Sequence, residues 1–238
     1  MSVRVVRGRG ETIAADRTGT ARLLELAGDG ETAVRVWRPH RQVAFGRRDA
    51  SREGYGNARK AARARDFRPV ERRVGGRAVA YDGETTLAFA RAEPVASFRE
   101  GIQERFDRLT DAMVDAVEAL GVAVEHGEPD NSFCPGAHSL RLVDGGKVAG
   151  IAQRVKNDRA LVAGVLVVDR RGVLGRVLAD VYDALAVPFD PDSVGSLVAG
   201  GGPSRPTAVR RAVEEALVGE AEARYDRFGG SFDPETPA

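Results

Sequence analysis

A lone cysteine and a lysine that follows two glycines are the residues of this 238-residue chain best suited to chemistry. Cys134 precedes Pro135 and Gly136, a pair typical of turns, so we expect its sulfur at a surface or cleft. Lys147 is one of only three lysines among 36 basic residues, which indicates a position that needs an ammonium rather than a guanidinium. A thiol beside a cation is a candidate nucleophile, because the thiolate is the attacking form.

A predicted hairpin makes these two residues neighbours. The stretch 138–143 and the stretch beginning at Lys147 are typical of strands, and the Asp-Gly-Gly of 144–146 supplies a tight turn between them. Residue type alone favours a structural interpretation, since free cysteines are commonly buried and lone lysines are commonly solvated. Their combination in one glycine-rich hairpin gives the catalytic interpretation equal weight.

Two further interpretations of these residues involve histidine. His138 is a candidate base for Cys134, as in cysteine hydrolases. We rank it below Lys147, because in a strand its ring is expected far from the sulfur. Cys134, His126 and His138 together make a poor zinc set, since they include no CxxC pair and no clear fourth ligand. We therefore expect no metal site.

The elements around the hairpin predict an α+β fold. Strands are predicted at 32–37, 42–45, 68–72, 77–81, 85–90, 122–125, 138–143, from 147 and at 160–168, and helices at 21–27, 54–66, 102–120, 173–185 and 207–224. Several strands are joined by tight turns, which implies antiparallel pairing. We expect a mixed, mainly antiparallel sheet flanked by helices.

Length and charge indicate one soluble domain. A flexible segment over 1–17, a single catalytic domain over 18–225 and a disordered tail over 226–238 are expected. The 36 basic and 35 acidic residues give a formal net charge of +1, which argues against wholesale nucleic-acid binding. No apolar run approaches the ~20 residues of a membrane span, and no signal peptide is evident. We expect a cytoplasmic protein with neither nucleic-acid nor membrane partners.

Three motifs in sequence order resemble the biotin/lipoate protein ligase superfamily, of the lipoate–protein ligase A type. VWRP at 36–39 with VAFGR at 43–47 is similar to its opening hairpin, RRVGGRAVAYD at 72–82 to its acyl- and nucleotide-facing glycine loop, and GKVAGIAQR at 146–154 to its lysine strand. With Cys134-Pro135-Gly136 ahead of that strand, the chain most resembles the cysteine-dependent octanoyl-[H protein]:protein N-octanoyltransferases and related lipoyl/octanoyl transferases. The resemblance covers most of the chain and implies the same α+β core.

The resemblance implies transfer of an octanoyl or lipoyl group between lysines of carrier domains. Cys134 would form a thioester and Lys147 would assist it. The implied acyl- or cofactor-binding residues are Arg73, Gly75, Gly76, Arg77, Ala78, Gly136, Gly150, Ile151 and Ala152. No cofactor is required, because one amide replaces another. The implied partners are lipoyl-carrier proteins, namely the glycine cleavage H protein and the lipoyl domains of 2-oxoacid dehydrogenase E2.

Two other functions stay open at this point. An ATP-dependent lipoate–protein ligase would use Lys147 at an acyl-adenylate, with ATP and Mg²⁺, and Cys134 would be incidental. Against it, Arg77 stands where many ligases carry a glycine, and little sequence is left for an accessory domain. A non-catalytic carrier-binding module would need neither Cys134 nor Lys147. The arginines at 63, 65, 68, 72, 73 and 77 are by default a solvated face, with a docking surface for an acidic carrier as the functional alternative.

Overall fold

The computed structural model describes residues 2–72, 76–97 and 100–228, which form two β-sheets with helices packed on their faces. The strands are β1 (Ser2–Arg7), β2 (Thr32–Trp37), β3 (Gln42–Phe45), β4 (Arg68–Glu71), β5 (Val79–Tyr81), β6 (Thr86–Pro94), β7 (Val124–His126), β8 (Ser139–Leu142), β9 (Lys147–Lys156), β10 (Arg159–Val167) and β11 (Glu222–Arg227). The helices are α1 (Ile13–Gly28), α2 (Arg47–Ala50), α3 (Tyr55–Ala64), α4 (Ile102–Glu118), α5 (Arg171–Ala184) and α6 (Pro206–Val218), with short 3₁₀ turns at Pro191–Ser193 and Val198–Gly200. No helix within these ranges is long and apolar enough to cross a bilayer.

The strand order confirms the predicted class. The larger sheet has the order β11-β1-β2-β6-β10-β9-β8-β7. In it β1 pairs in parallel with β2 and β11, and the other pairs are antiparallel. The smaller sheet has the order β4-β3-β5, with β3 parallel to β4 and antiparallel to β5. The fold is therefore α+β with a mixed, mainly antiparallel sheet.

Three apolar clusters hold these layers together. Along β2 the side chains alternate, so that Val34 joins a cluster with α4 and α6 on one face, while Ala33 joins a cluster with α1 on the other. A third cluster, which includes Phe45 and Val181, joins the small sheet to α3 and α5. Each large apolar side chain buried in this way contributes roughly 1.5–3 kcal/mol. This packing fixes the strands that carry the cysteine and lysine segments.

The hairpin that carries Lys147 is present as predicted. β8 and β9 pair antiparallel, with Ser139 opposite Gly150. The turn between them is closed by the Gly145 N–H, which donates to the Leu142 carbonyl at 3.1 Å. Lys147 is the first residue of β9, and the cysteine segment therefore enters the hairpin beside it.

The prediction of a flexible N-terminal segment over 1–17 is wrong. Ser2–Arg7 form β1 in the large sheet, and α1 begins at Ile13, eight residues before the predicted helix. Val3 and Val5 are 3% and 1% exposed. These valines alternate with more polar residues in the two-residue period of a strand. The basic residues of this segment obscure that pattern, since they suggest a solvated end.

The C-terminal helix is shorter than predicted and is followed by a strand. Gly219, with φ of +63°, ends α6 after Val218. Residues Glu222–Arg227 then pair in parallel with β1. Positions 226 and 227, predicted to lie in a disordered tail, belong to this strand, and positions 229–238 lie outside the described residues.

The glycine-rich motif does not close a simple hairpin. β4 and β5 lie on either side of β3 instead of beside each other. Likewise β2 and β3, whose predicted bounds are confirmed, belong to different sheets rather than to one hairpin. The Arg72 N–H donates to the Phe45 carbonyl at 2.9 Å, which extends the β3–β4 pairing by one bond. The segment after β4 thus leaves the small sheet at Arg72 and returns to it in β5.

Candidate active site

Cys134 occupies a strained turn that a buried tyrosine holds in place. Its φ is +43°, a left-handed conformation that costs a residue with a Cβ roughly 1–2 kcal/mol. The Cys134 N–H donates to Tyr182 Oη at 2.7 Å, and the Tyr182 hydroxyl donates to the Ala78 carbonyl at 3.0 Å. Burial raises the pKa of Tyr182, so the hydroxyl stays neutral and can both accept and donate. Tyr182 therefore joins the cysteine turn to the end of the glycine loop.

Among the described residues, Arg72 is the cation that contacts the sulfur. Its Nη2 lies 3.1 Å from Cys134 Sγ and 2.7 Å from the Arg77 carbonyl oxygen. Burial lowers the pKa of Arg72, but Cys134 and the tyrosines Tyr81 and Tyr182 together outweigh burial, and the pKa is raised. A guanidinium N–H at this distance can donate a charge-assisted hydrogen bond to the sulfur. Sequence reasoning placed Arg72 in a basic patch and missed this role, although its place at the start of the glycine motif was a usable signal.

Lys147 holds the backbone of the cysteine turn and not its sulfur. Its Nζ donates to the carbonyl oxygens of Phe133 and Cys134, both at 3.0 Å, and to Glu128 Oε2 at 2.7 Å. An ammonium has three N–H donors, so these three acceptors use them all. The Lys147 side chain is 1% exposed. The hairpin thus brings lysine and cysteine together as predicted, but the contact is with carbonyl oxygens.

Glu128 ties the other side of the turn to Lys147. Its Oε1 accepts from the Gly136 N–H at 2.9 Å, and its Oε2 accepts from Ser139 Oγ at 2.8 Å. Burial raises the pKa of Glu128, but the contacts with Lys147, Ser139 and Gly136 outweigh it and the net pKa is lowered. Glu128 is therefore ionised at neutral pH and balances the lysine charge. The sequence offered only a weak signal for it, an acidic residue in the loop before the cysteine.

Gly76 brings the glycine loop against the reactive sulfur. Its φ is +86°, and a Cβ there would lie 2.7 Å from Cys134 Sγ and 2.9 Å from Arg72 Nη2. On its other side the Gly76 carbonyl oxygen would lie 1.9 Å from a Cβ on Gly46. Glycine is therefore required at both positions, because backbone and sulfur already occupy the space.

The other predicted residues of the glycine loop have different surroundings. Arg77 Nη1 lies 3.4 Å from Asp49 Oδ1, at the start of α2. Burial raises the pKa of Asp49 despite the opposing effects of the Gly46 N–H and Arg77. Ala78 is fully buried and its carbonyl binds Tyr182. Arg73 and Gly75 lie outside the described residues.

The predicted residues of the hairpin divide between the two faces of the sheet. A Cβ on Gly150 would lie 3.2 Å from Lys147 Cε, so this glycine faces the site. Ala152, two residues on, shares that face and is exposed. Ile151 packs instead against the cluster of α4 and α6. Gly136 is exposed, and its N–H binds Glu128.

The histidines make contacts away from the sulfur. The His138 ring stacks on Phe106, with ring centroids 3.7 Å apart. His126 is exposed, with Nε2 3.9 Å from Asp111 Oδ1. Across residues 2–72, 76–97 and 100–228, no three His, Cys, Asp or Glu side chains are grouped so that they could hold a metal ion.

We predict that Gly76→Ala disrupts the site while a matched glycine change does not. The added methyl group meets Sγ and the Arg72 guanidinium, and the positive φ adds roughly 1–2 kcal/mol of strain. Gly56→Ala in α3 is the control, because a Cβ there has no atom within 4 Å. Thermal unfolding and alkylation of Cys134 by iodoacetamide, measured on both variants, test this. Equal behaviour of the two variants contradicts it.

Comparison with known proteins places this arrangement in a family. Residues 18–215 match the lipoyl protein ligase A/B catalytic domain. The chain belongs to this family. The predicted superfamily is thereby confirmed, and the cysteine turn, the glycine loop and the lysine hairpin all lie within the matched span.

Solved structures of lipoate ligases share the fold of this catalytic domain. Lipoate-protein ligase A bound with ATP superimposes with a TM-score of 0.72 at 19% identity, over 96% of this chain and 90% of that one. The bi-partite lipoate protein ligase from Thermoplasma acidophilum gives a TM-score of 0.68 at 19% identity, over 96% and 88% of the two chains. Identities at this level show a common fold.

A curated relative is similar in sequence over part of its length. The octanoyl-[GcvH]:protein N-octanoyltransferase of Geobacillus kaustophilus (strain HTA426) is 30% identical over 128 residues. The match covers 54% of this chain and 44% of that protein. The matched region is thus less than half the length of the relative.

Proposed function

We propose that this catalytic domain is an acyltransferase of protein lipoylation. It moves an octanoyl or lipoyl group from a lysine of one carrier domain to a lysine of another through a thioester on Cys134. The observation that carries the proposal is the contact of the Arg72 guanidinium with Cys134 Sγ at 3.1 Å, in a turn held by Lys147 and Tyr182. The similarity to an octanoyltransferase supports the same reaction.

The transfer proceeds in two substitutions at the acyl carbonyl. The Cys134 thiolate attacks the carbonyl carbon of the acyl-lysine amide, the C–N bond breaks, and the lysine leaves as an amine after taking up a proton. The acceptor lysine amine then attacks the thioester, loses a proton, and the C–S bond breaks to return the thiolate. One amide replaces another, so the balance needs no ATP. The carriers proposed are the glycine cleavage H protein and E2 lipoyl domains.

The residues of the site take separate tasks in this scheme. Arg72 donates a hydrogen bond to the sulfur before acylation and to the thiolate that is released when the C–S bond breaks. Lys147 holds the carbonyls of Phe133 and Cys134, Glu128 holds the Gly136 N–H, and Tyr182 holds the Cys134 N–H. The strained backbone therefore keeps Sγ in one position. Pre-organisation of this kind lowers the barrier because the geometry is set before the substrate arrives.

The sheet face beside the cysteine offers a floor for the acyl chain. Ala152 lies opposite Ala163, and Gly150 lies opposite Val165 in the β9–β10 pair. These side chains are small or apolar, and Ala152 is exposed while Gly150 and Ala163 are half-buried. An acyl chain bonded to Cys134 would extend over this surface, with Gly76 close to the thioester.

Intact mass measurement with and without ATP tests the proposal. The protein is incubated with octanoylated H protein and an unmodified lipoyl domain, and we expect one octanoyl group on the enzyme and transfer to the acceptor in both conditions. Free octanoate or lipoate with ATP and Mg²⁺ should give no product. Pyrophosphate release that depends on free lipoate would establish the ligase reaction instead. Binding of the carrier without any acyl transfer would indicate a non-catalytic module.

We predict that Arg72→Gln slows the chemistry of Cys134 itself. Loss of the one cation that contacts Sγ among residues 2–72, 76–97 and 100–228 should reduce alkylation by iodoacetamide at pH 7 by at least about tenfold, because the thiolate is the reacting form. Arg72→Lys keeps a charge but loses the planar guanidinium that also binds the Arg77 carbonyl. Its alkylation rate should therefore lie between those of wild type and Arg72→Gln. Unchanged alkylation of Arg72→Gln would remove Arg72 from thiolate stabilisation.

A further inference from the structure

Basic charge is concentrated in the segment that borders the site. Residues 46–77 contain eleven arginines and lysines and four acidic residues, which gives +7 in a chain whose total is +1. The rest of the chain is therefore net acidic. Such asymmetry creates a local field that attracts an oppositely charged partner and accelerates its association.

Five of these cations are exposed, and together they are here called the basic face. They are Arg47, Arg48, Lys60, Arg63 and Arg68, in α2, α3 and β4. None of them forms an ion pair with another described residue, whereas Arg65 beside them is paired with Asp180 at 2.7 Å. Unpaired charges of one sign repel each other, so the basic face is stabilised when an anionic surface covers it.

The basic face is built onto the reactive turn. Asp49 of α2 binds Arg77, and Tyr55 of α3 donates to Glu71 at 2.8 Å, one residue before Arg72. Gly46, just before α2, packs against the carbonyl oxygen of Gly76. The opposite side of Gly76 faces Cys134 Sγ. A partner seated on α2 and α3 is therefore close to the sulfur.

We propose that the basic face docks the acidic surface of the carrier domain that presents the acyl-bearing lysine. This rests on the proposed function, which requires a protein substrate at Cys134. The carrier is recognised by charge over an area, since exposed cations on two helices and a strand match a broad acidic patch better than a single anion. Docking of this kind would give a task to Arg63 and Arg68, two members of the arginine run that take no part in the transfer steps.

Paired charge-reversal variants of the full chain test this inference. Lys60→Glu/Arg63→Glu should raise the KM for octanoylated H protein by about tenfold or more at low ionic strength. The difference from wild type should shrink in ~0.5 M salt, where the Debye length is only a few ångströms. The control is Arg211→Glu/Arg224→Glu, which makes the same change in net charge at exposed positions of α6 and β11 and should leave the KM unchanged.

A neutral small-molecule donor separates this inference from the proposed function. Octanoyl-N-acetylcysteamine thioester should acylate Cys134 equally well in wild type and in Lys60→Glu/Arg63→Glu, because it does not need the basic face. Failure of the wild type to form the acyl-enzyme would defeat the proposed function. Normal acylation together with an unchanged carrier KM in the reversed variant would overturn the docking surface. An equal rise of the carrier KM in both double variants would also overturn it. So would weaker binding of a short DNA duplex by Lys60→Glu/Arg63→Glu while its kinetics with the carrier stay normal.

Discussion

Replacing Cys134 with alanine is expected to abolish acyl transfer and the acyl-enzyme. The thiolate is the group that accepts the acyl chain, and Cys134 is the only cysteine of the chain, so no other thiol can replace it. Loss of a covalent nucleophile commonly removes most of the rate enhancement, and we expect a decrease of at least about 10³-fold. Intact mass after incubation with octanoylated carrier should show no added octanoyl group. Transfer by the alanine variant at near wild-type rate would eliminate the thioester mechanism.

A glycine at the same position separates reactivity from strain. Because φ at Cys134 is +43°, Cys134→Gly relieves roughly 1–2 kcal/mol of backbone strain while it removes the sulfur. We expect this variant to be inactive and at least as stable to thermal unfolding as Cys134→Ala. A higher stability of Cys134→Gly would mean that the fold maintains an unfavourable turn to place Sγ beside Arg72. If Cys134→Gly is the less stable of the two, the turn is not strained.

Replacing Lys147 with methionine is expected to lower both turnover and stability. The change leaves the Glu128 carboxylate and the carbonyls of Phe133 and Cys134 without their donor. Loss of a hydrogen-bonded charge partner costs about 2–3 kcal/mol in folding free energy, and loss of a pre-organised electrostatic group costs about 10²–10³ in turnover. Chemical denaturation and single-turnover acyl transfer measure the two effects. A variant with normal turnover would remove Lys147 from the mechanism.

A second substitution distinguishes positioning from mere stability. In Lys147→Met/Glu128→Gln no carboxylate is left unpaired, so the share of stability lost through that unpaired charge should recover while turnover stays low. Recovery of both would make the lysine a stabilising residue only.

The ion pair of Lys147 and Glu128 also predicts that stability depends on pH. The lowered pKa of Glu128 means that its contribution to stability is complete above the ordinary carboxyl pKa and is lost as pH falls through the lowered value. Glu128→Gln should lack this acid-side loss.

Much of the fold was accessible from local sequence. The bounds of β2 and β3 were predicted to the residue, and the hairpin of β8 and β9 followed from an Asp-Gly-Gly turn between two strand-like runs. Helix α4 followed from apolar residues that recur at helical spacing over 102–120. These elements depend on interactions among residues close in sequence, and their side-chain pattern is therefore visible in a short window.

The sequence by itself determined the α+β class, the hairpin and the choice of Cys134 and Lys147 as neighbours. Tertiary structure alone decided that β1 and β11 pair across more than 200 residues. It also decided that Arg72, 62 residues before the cysteine, contacts Sγ, while Lys147 binds carbonyl oxygens. A turn signal places a backbone in the right neighbourhood, but the atom that a long flexible cation reaches depends on packing from distant segments. Here a strained φ, a buried tyrosine from α5 and a glycine with no room for a Cβ together direct the sulfur toward Arg72.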